Sequence, residues 1–505
     1  MKQLFVTLFA GLGVFCSQAQ NIEQVRFFTQ DDLGGSARFQ ALSGAFGALG
    51  GDLSSIMVNP AASSVFQYNE IGGSIGFFNI SNKASYFGTE TTNDDLQLEL
   101  NQLGAVIVLE NTGNGPWKKL AFGVNAQMKS SFDNTLNIFG MNNRNGLDEY
   151  FLNYAAGVDI DLLSVFEDMG ETVSGQYAFL GNNYGFGHQQ AFLGYQSYVF
   201  DYDTDTNSYV SSALYNSVRH NHQYQTRGNN WAIAMNFSAQ YDDWLYLGAN
   251  LNIHAVELTQ RTQTIEDSYA NESFLREVYF ENNLYTFGGG VSAQFGAILK
   301  PSESLRLGLS YTTPTWYSME EELTQYIETV NTDEDGLLFD RFINPNVVNV
   351  YEEYTIKTPA ELRGSLAYVF GKQGLISFDY IRKNHQNSNI EPSDSVVFQQ
   401  INNQIENQWK TTNSYRLGTE WRRGGISLRG GYHLDESPYN DTSVFGDLTG
   451  YSLGLGFNFG NNTFDIAYVN SDRNSEHRLY DIGLTDVAQI SSSISKITLS
   501  LNLKF

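Results

Sequence analysis

The chain has 505 residues, with 29 basic against 55 acidic side chains, and a net charge of -26 leaves nothing to neutralise phosphates, which excludes nucleic acid as a partner. Glycine (47), tyrosine (30) and phenylalanine (35) are abundant while proline (8) and charged residues (17%) are scarce, a composition that suits pleated strands rather than helices. The single cysteine is Cys16, so disulfides, Cys-ligated zinc, iron–sulfur clusters and thiol catalysis are excluded once the leader is removed.

The first element is that leader. Lys2 gives a positive start, Leu4 to Phe15 an apolar stretch, and Ser17-Gln18-Ala19 a small-x-small cleavage site, so residues 1–19 are expected to be a signal peptide cut after Ala19. Cys16 is a poor lipid-anchor site because Phe15, just before it, is not small. No later stretch approaches the roughly 18 consecutive apolar residues of a spanning helix. The options left are a secreted β protein and an outer-membrane barrel.

Residues 20–67 come next and do not alternate. GALGGDLSSIMVNPAASSVF, from Gly47 to Phe66, crowds small residues around Asn59-Pro60. It lacks the period of two that a barrel wall imposes.

From 68 onward the period of two dominates. Tyr451, Leu453, Leu455, Phe457 and Phe459 alternate with Ser, Gly or Asn; Leu305 to Tyr311, Leu362 to Phe370 and Ile426 to Tyr432 do the same. Arginines and glycines take the other face, and aromatic residues gather at strand ends, as in a barrel with a polar lumen and an aromatic girdle. Fourteen strands are expected over residues 68–505, starting near 68, 98, 120, 222, 245, 280, 305, 354, 374, 406, 426, 448, 463 and 491. Short turns such as Tyr241 to Trp244, Pro301 to Ser304, Gly371 to Gln373 and Gly460 to Asn462 alternate with long acidic connections. That matches periplasmic turns and extracellular loops, and an even count puts both barrel ends on the periplasmic side. Residues 140–221 read as one long extracellular loop with a short helix over 159–168. The chain stops on Phe505 after Ile497, Leu499, Leu501 and Leu503 alternate with polar residues, like the terminal signal of assembled barrels. The fold class is therefore all-β, a transmembrane antiparallel barrel of about fourteen strands.

The run from Gly35 to Ala61, ending in Asn59-Pro60-Ala61, resembles the N-terminus of the FadL-type outer-membrane transporters of long-chain fatty acids and other hydrophobic compounds. Gly308 to Thr315, Thr358 to Leu362, Leu428 to Tyr432 and Asp435 to Tyr439 are similar to family segments further along. Ala62 stands where family members commonly have glycine. The resemblance implies a hatch folded inside the barrel and passive passage of hydrophobic molecules, with no bound nucleotide, metal or other cofactor. On this reading Gly44, Gly47, Gly50 and Gly51 give the hatch freedom to shift, and Phe39, Leu42, Phe46, Leu49, Ile56 and Met57 are candidates to line a ligand path. Packing of the plug against the wall is the competing role for each of them. Arg38 in the hatch, with Arg363 and Arg429 on the wall, could meet a ligand carboxylate, or pair with lumen acids.

Other chemistry is thin. The seven histidines, His220 and His222 included, lack a nucleophile signature and are expected to be solvated in loops, so no enzyme is expected. Asp201-Tyr-Asp-Thr-Asp205 resembles a calcium loop, but Thr206 and Ser212 occupy its glycine and glutamate positions. The Gly44, Gly47, Gly50 spacing lacks the strand–turn–helix context of a dinucleotide site. The expected partners are a hydrophobic small molecule and outer-membrane lipid, with the chain a monomer in the outer membrane of a Gram-negative bacterium. A protein-interaction role linked to secretion, or a surface adhesin, is the alternative.

Overall fold

The computed structural model describes residues 21–113 and 115–505; the expected signal peptide lies outside the described residues. The chain begins with α1 (Ile22–Thr29) and α2 (Ala37–Ala41), followed by 3-10 turns at Leu53–Met57 and Pro60–Val65. Four strands follow, β1 (Glu70–Tyr86), β2 (Thr89–Glu110), β3 (Trp117–Ser131) and β4 (Asn134–Asn142). An insert then carries α3 (Leu147–Ala155), α4 (Ile160–Leu163), α5 (Val173–Tyr184), α6 (Phe186–Gln196) and the hairpin of β5 (Phe200–Asp203) and β6 (Ser208–Ser211).

The longest strands are β7 (Val218–Tyr241), β8 (Leu245–Asp267) and β9 (Leu275–Leu299). Two wall strands are then built in pieces: β10 (Leu305–Thr312) with β11 (Trp316–Thr332), and β12 (Leu338–Ile343), β13 (Asn349–Val350), β14 (Tyr354–Lys357) with β15 (Glu361–Phe370). Next come β16 (Gly374–Asn384), β17 (Asn389–Glu391) and α7 (Val396–Gln408). The wall ends with β18 (Thr411–Arg423), β19 (Ile426–Asp435), β20 (Leu448–Phe459), β21 (Asn462–Arg478) and β22 (Val487–Lys504).

β22 pairs with β1 from Glu70↔Lys504 upward, which closes an antiparallel barrel of 14 strands. Closure removes the free edges that would otherwise be exposed. The strand count agrees with the sequence reading, but several starts differ: β9 begins at Leu275 rather than near 280, the wall strand expected from 354 begins with β12 at Leu338, and two more have local causes. β2 begins at Thr89 rather than near 98, because Phe87 and Gly88, both at positive φ, make a two-residue hairpin turn right after β1. Position 406 lies in α7, where Phe398, Ile401 and Ile405 recur at helical spacing and are buried, so the strand starts at Thr411.

The apolar face of the wall points outward. Leu98 is 66% exposed, Leu453 58% and Phe295 55%. A soluble sandwich would bury that face, so this band faces lipid. On β8 the outward residues change from Leu251 and Ile253 to Glu257, Thr259, Arg261 and Gln263, so the second half of the strand stands above the belt. The insert closes this far end. Phe151, Phe192 and Leu193 pack on Val278, Phe280 and Ile327 of β9 and β11. The single short helix expected within 140–221 is thus α4 within a four-helix cap, and both ends of that range belong to β4 and β7.

Candidate functional site

The N-terminal segment fills the lumen, and its local structure follows from its caps. Ser36 caps α2 by accepting from the Phe39 amide. Asp52 accepts from Ser54 N–H and from the Ser36 hydroxyl at 2.9 and 2.8 Å. Asn59 does three things: its Oδ1 accepts from Ala61 N–H at 3.1 Å, and its Nδ2 donates to Gly47 O at 2.7 Å and to Ala297 O of β9 at 3.1 Å. Pro60 starts the 3-10 turn, where no amide donor is needed. The Asn-Pro-Ala signature is therefore a staple that ties the segment to itself and to the wall.

The barrel is shaped to receive it. A Cβ on Gly308 would lie 2.2 Å from Gly47 O, on Gly248 2.4 Å from the Pro60 carbonyl, and on Gly418 2.7 Å from Leu42 O. Side chains there would evict the plug. Gly44, Gly50 and Gly51 have φ of +76°, +66° and +68°, which explains those three glycines. Gly47 is needed for space: a Cβ there would lie 2.0 Å from Ser365 Oγ, and its N–H donates to Asp379 at 2.9 Å.

Ion pairs complete the attachment. Glu420 holds Arg38 at 2.8 Å, Arg429 at 2.7 Å, and Arg422; Arg429 also meets Asp465 at 2.7 Å. Arg363 pairs with Glu361 at 3.0 Å and Asp379 at 3.2 Å. All three arginines considered for a ligand carboxylate are thus neutralised by wall acids. The apolar candidates divide. Leu42, Phe46 and Leu49 pack on Ala367 and Leu375, and Ile56 packs on Val106 and Ala121, so these four serve packing. Phe39, Met57 and Gly44 border a cavity.

Three adjoining spaces run past the plug. A vestibule of about 470 Å³ lies among Ile22, Tyr150, Phe186, Leu284, Ile401 and Tyr480. It shares Glu23, Tyr224, Tyr439, Val444 and His477 with a side cavity of about 190 Å³, walled by Phe27, Ile80, Phe132, Leu136, Phe445 and Ile494. That cavity in turn shares Gln30, Asp32, Arg473 and Ile494 with a lumen cavity of about 210 Å³ beside Phe28, Phe39, Met57 and Tyr317. α1 and the residues after it border all three spaces. Asp31 anchors this segment to two walls, at 3.0 Å from Lys129 and 3.1 Å from Lys383.

The side cavity abuts a break in the wall. The β2–β3 ladder stops at Gln102↔Gln127, and the β3–β7 register slips at Met128 and Ser130. Phe132 N–H donates to Gly228 O at 2.9 Å, and β4 then pairs with β7. Over Thr89–Asn101, β2 has β1 on one side and no ladder on the other among the described residues. Phe132, 4% exposed, sits behind this gap. Sequence reasoning missed it; the signal was Ser-Phe-Asp-Asn, residues 131–134, where alternation fails inside an otherwise regular strand.

The histidines are not solvated loop residues. His220 and His222 are fully buried on β7, His220 against Glu266 at 2.6 Å, because the lumen face of a barrel demands partnered polar groups. Ser–His contacts occur at His433–Ser471 (2.9 Å) and His254–Ser292 (3.3 Å). The second nitrogen of each meets a hydroxyl, Ser43 or Tyr317, where a triad would place a carboxylate. In the 201–205 hairpin Asp203 accepts from Thr206 and Asp205, its oxygens already engaged.

The closed wall and its exposed apolar belt place the chain in the outer membrane of a Gram-negative bacterium. No protein-family model matches the chain, and no curated protein sequence matches it. Among solved structures, a Pseudomonas aeruginosa FadL homologue is similar with a TM-score of 0.55 at 11% identity, over 94% of this chain and 100% of that one. The P. putida toluene transporter TodX is similar with a TM-score of 0.51 at 13% identity, over 94% and 99% of the two chains. A likeness at such identities is one of architecture: the chain has the fold of the FadL-type outer-membrane transporters.

Proposed function

We propose that the chain carries hydrophobic molecules, long-chain fatty acids among them, passively across the outer membrane, with no catalysis and no cofactor. The end holding the barrel termini is periplasmic and the capped end extracellular. Cargo is taken up in the vestibule, passes α1 into the side cavity, and leaves sideways to the bilayer between β2 and β4. The observation that carries this reading is the wall break beside an apolar cavity, since an apolar solute gains by leaving into lipid rather than crossing a polar lumen. The 20–67 segment acts as the hatch, held by Asn59, Pro60 and Ala61, and its dense attachment supports movement of α1 rather than of the glycines of the plug. The protein acts as a monomer.

The test is uptake of labelled palmitate and of toluene by cells lacking the gene, complemented with wild type or with Phe132→Arg. Wild type is expected to restore uptake of both and the arginine, set across the exit, to abolish that of palmitate. Equal uptake with and without the wild-type gene rejects transport.

One observation favours a protein-interaction role. β12 bonds to β11 on one side, carries Leu338 and Phe342 exposed, and has no ladder on its other side among the described residues. Such an edge suits strand addition by a partner. Loss of a partner from pull-downs with Phe342→Lys, with uptake intact, would support that second role.

A further inference from the structure

A second defect crosses the wall at β10 to β17. Three neighbouring wall strands break at one level: β10–β11 at Thr313-Pro314-Thr315, β14–β15 at Thr358-Pro359-Ala360, and β16–β17 at the 3-10 turn His385–Asn387. The ladder runs Thr312↔Glu361 below and Trp316↔Lys357 above, so Pro314 stands opposite Pro359. Neither can donate a backbone hydrogen bond, and a central strand ordinarily excludes proline. The chain has 8 prolines, and the other six, at 60, 116, 301, 345, 392 and 438, lie in the plug, turns or loops.

Threonines partly mend the seam. Thr358 N–H donates to Thr315 O and Thr315 N–H to Thr358 Oγ1, both at 3.0 Å; Thr313 N–H donates to Ala293 O at 2.9 Å. On the far flank, the β15–β16 ladder ends at Glu361↔Lys383 and pairing resumes at Lys357↔Asn389. There the buried His385 Nδ1, Ser388 Oγ and Asn389 Oδ1 have no hydrogen-bond partner. A buried polar atom without a partner costs about 1–3 kcal/mol, so the closed seam is a weakly held state.

The seam has a cavity on one side and lipid on the other. Thr313, Thr315, Thr358, Pro359 and His385 line the lumen cavity of about 210 Å³. Tyr311, Trp316 and Leu362, exposed by 43, 45 and 48%, flank it outside, at the aromatic girdle of the belt. Its lining offers hydroxyls and proline rings. On the lumen side the nearest cations, Lys383 and Arg363, are already paired with acids. A carboxylate would stay unpartnered there, at high cost, whereas an uncharged apolar molecule would not.

We propose that this proline seam is a second side passage, linking the lumen cavity to the outer half of the bilayer and selective for uncharged apolar molecules. The inference rests on the lumen cavity belonging to the cargo path. The test uses full-length protein in vesicles, with naphthalene as uncharged and palmitate as anionic probe. Thr315→Cys with Thr358→Cys closes the seam by a disulfide between opposed residues; Asp95→Cys with Thr135→Cys closes the gap between β2 and β4. In protein carrying all four cysteines, oxidation is expected to stop naphthalene. With the β2–β4 pair alone oxidised, palmitate stops while naphthalene passes, and reduction restores both. Naphthalene transport that survives an oxidised seam when the other gap is also closed, or that stops with the β2–β4 pair alone, overturns the proposal.

A second variant, Pro314→Ala with Pro359→Ala, supplies both missing donors and, combined with the oxidised β2–β4 pair, is expected to give the same loss; unchanged naphthalene transport through that combination also counts against the seam. If wild type moves neither probe, the transport reading itself falls. The seam is then tested by a bimane label at Thr358→Cys. Quenching by brominated lipid supports an opening to the bilayer, and no quenching refutes it.

Discussion

Glu420→Gln removes one carboxylate that three arginines share, and the structure says which of them suffers. Arg429 keeps Asp465 at 2.7 Å. Arg422, with its side chain 46% exposed, turns to water. Arg38, 15% exposed, keeps the Gly51 carbonyl at 3.2 Å and the Phe46 ring at 5.2 Å, but loses its counter-charge. Breaking a buried pair by removing one partner costs about 3–5 kcal/mol. Because Arg38 retains a carbonyl and a ring, the lower end, about 3 kcal/mol, applies here. The barrel ladder does not run through Arg38, so the loss falls on seating of the plug, and its unseated population rises about a hundredfold. Subtilisin digestion in vesicles reads this population, since cleavage of a transiently open segment tracks how often it opens. The expected result is faster cutting within 36–65 at unchanged barrel stability. Arg38→Met in the same background removes the stranded charge and should recover most of the protection. Equal cutting of wild type and Glu420→Gln, or a double variant as labile as the single one, would refute the latch.

Gly308→Ala puts a methyl group 2.2 Å from Gly47 O and should lower the unfolding midpoint, at a cost of about 1–3 kcal/mol, while Gly364→Ala, with nothing within 4 Å, should not; equal midpoints count against the cradle. Phe132→Ala empties the inner side of the β2–β4 gap and should raise palmitate uptake, whereas unchanged uptake argues that the gap is no exit. In the cap, burial pushes the Asp148 carboxyl up to about 6 from 3.8, opposed by hydrogen bonds from Ser211 and Tyr215, with Glu266 and Glu149 adding to the rise. The folded cap therefore holds a proton that the unfolded chain has released between those values. Its stability is full below about pH 4 and falls by about 3 kcal/mol as pH climbs through 6. Hydrogen-exchange protection factors of α3, with the intrinsic pH dependence of exchange divided out, should be higher at pH 4.5 than at pH 7, and Asp148→Asn should abolish the difference; a cap more protected at pH 7 contradicts the sign.

What sequence could reveal depended on whether a residue's role was set by its neighbours along the chain or across the lumen. Tyr451 to Phe459 alternate because each faces lipid or lumen in turn, so the wall was legible strand by strand. Asn59-Pro60-Ala61 was legible as a signature because its cap is local, with Asn59 Oδ1 on the Ala61 amide. The partners of the plug were not: Glu420, Asp379 and Ala297 lie hundreds of residues from Arg38, Gly47 and Asn59. The same holds for the cap: α6 has a weak amphipathic pattern because it is covered on nearly all sides, while α5 buries only Tyr177 and Leu180 and leaves Phe179 and Tyr184 exposed.

Glycine shows the limit most sharply. Gly44 and Gly50 are glycines for backbone reasons that a turn-like sequence announces. Gly248, Gly296, Gly308 and Gly418 sit in regular strands, where glycine is unfavourable by itself. Their reason is the plug, which approaches each to within a side chain's thickness. A wall that has given up side chains at several facing positions holds a fixed object and not a sliding one. It follows that passage cannot depend on the plug leaving. It must go round, and the wall is weakest where its own strands fail, at Phe132 and at the opposed pair Pro314 and Pro359.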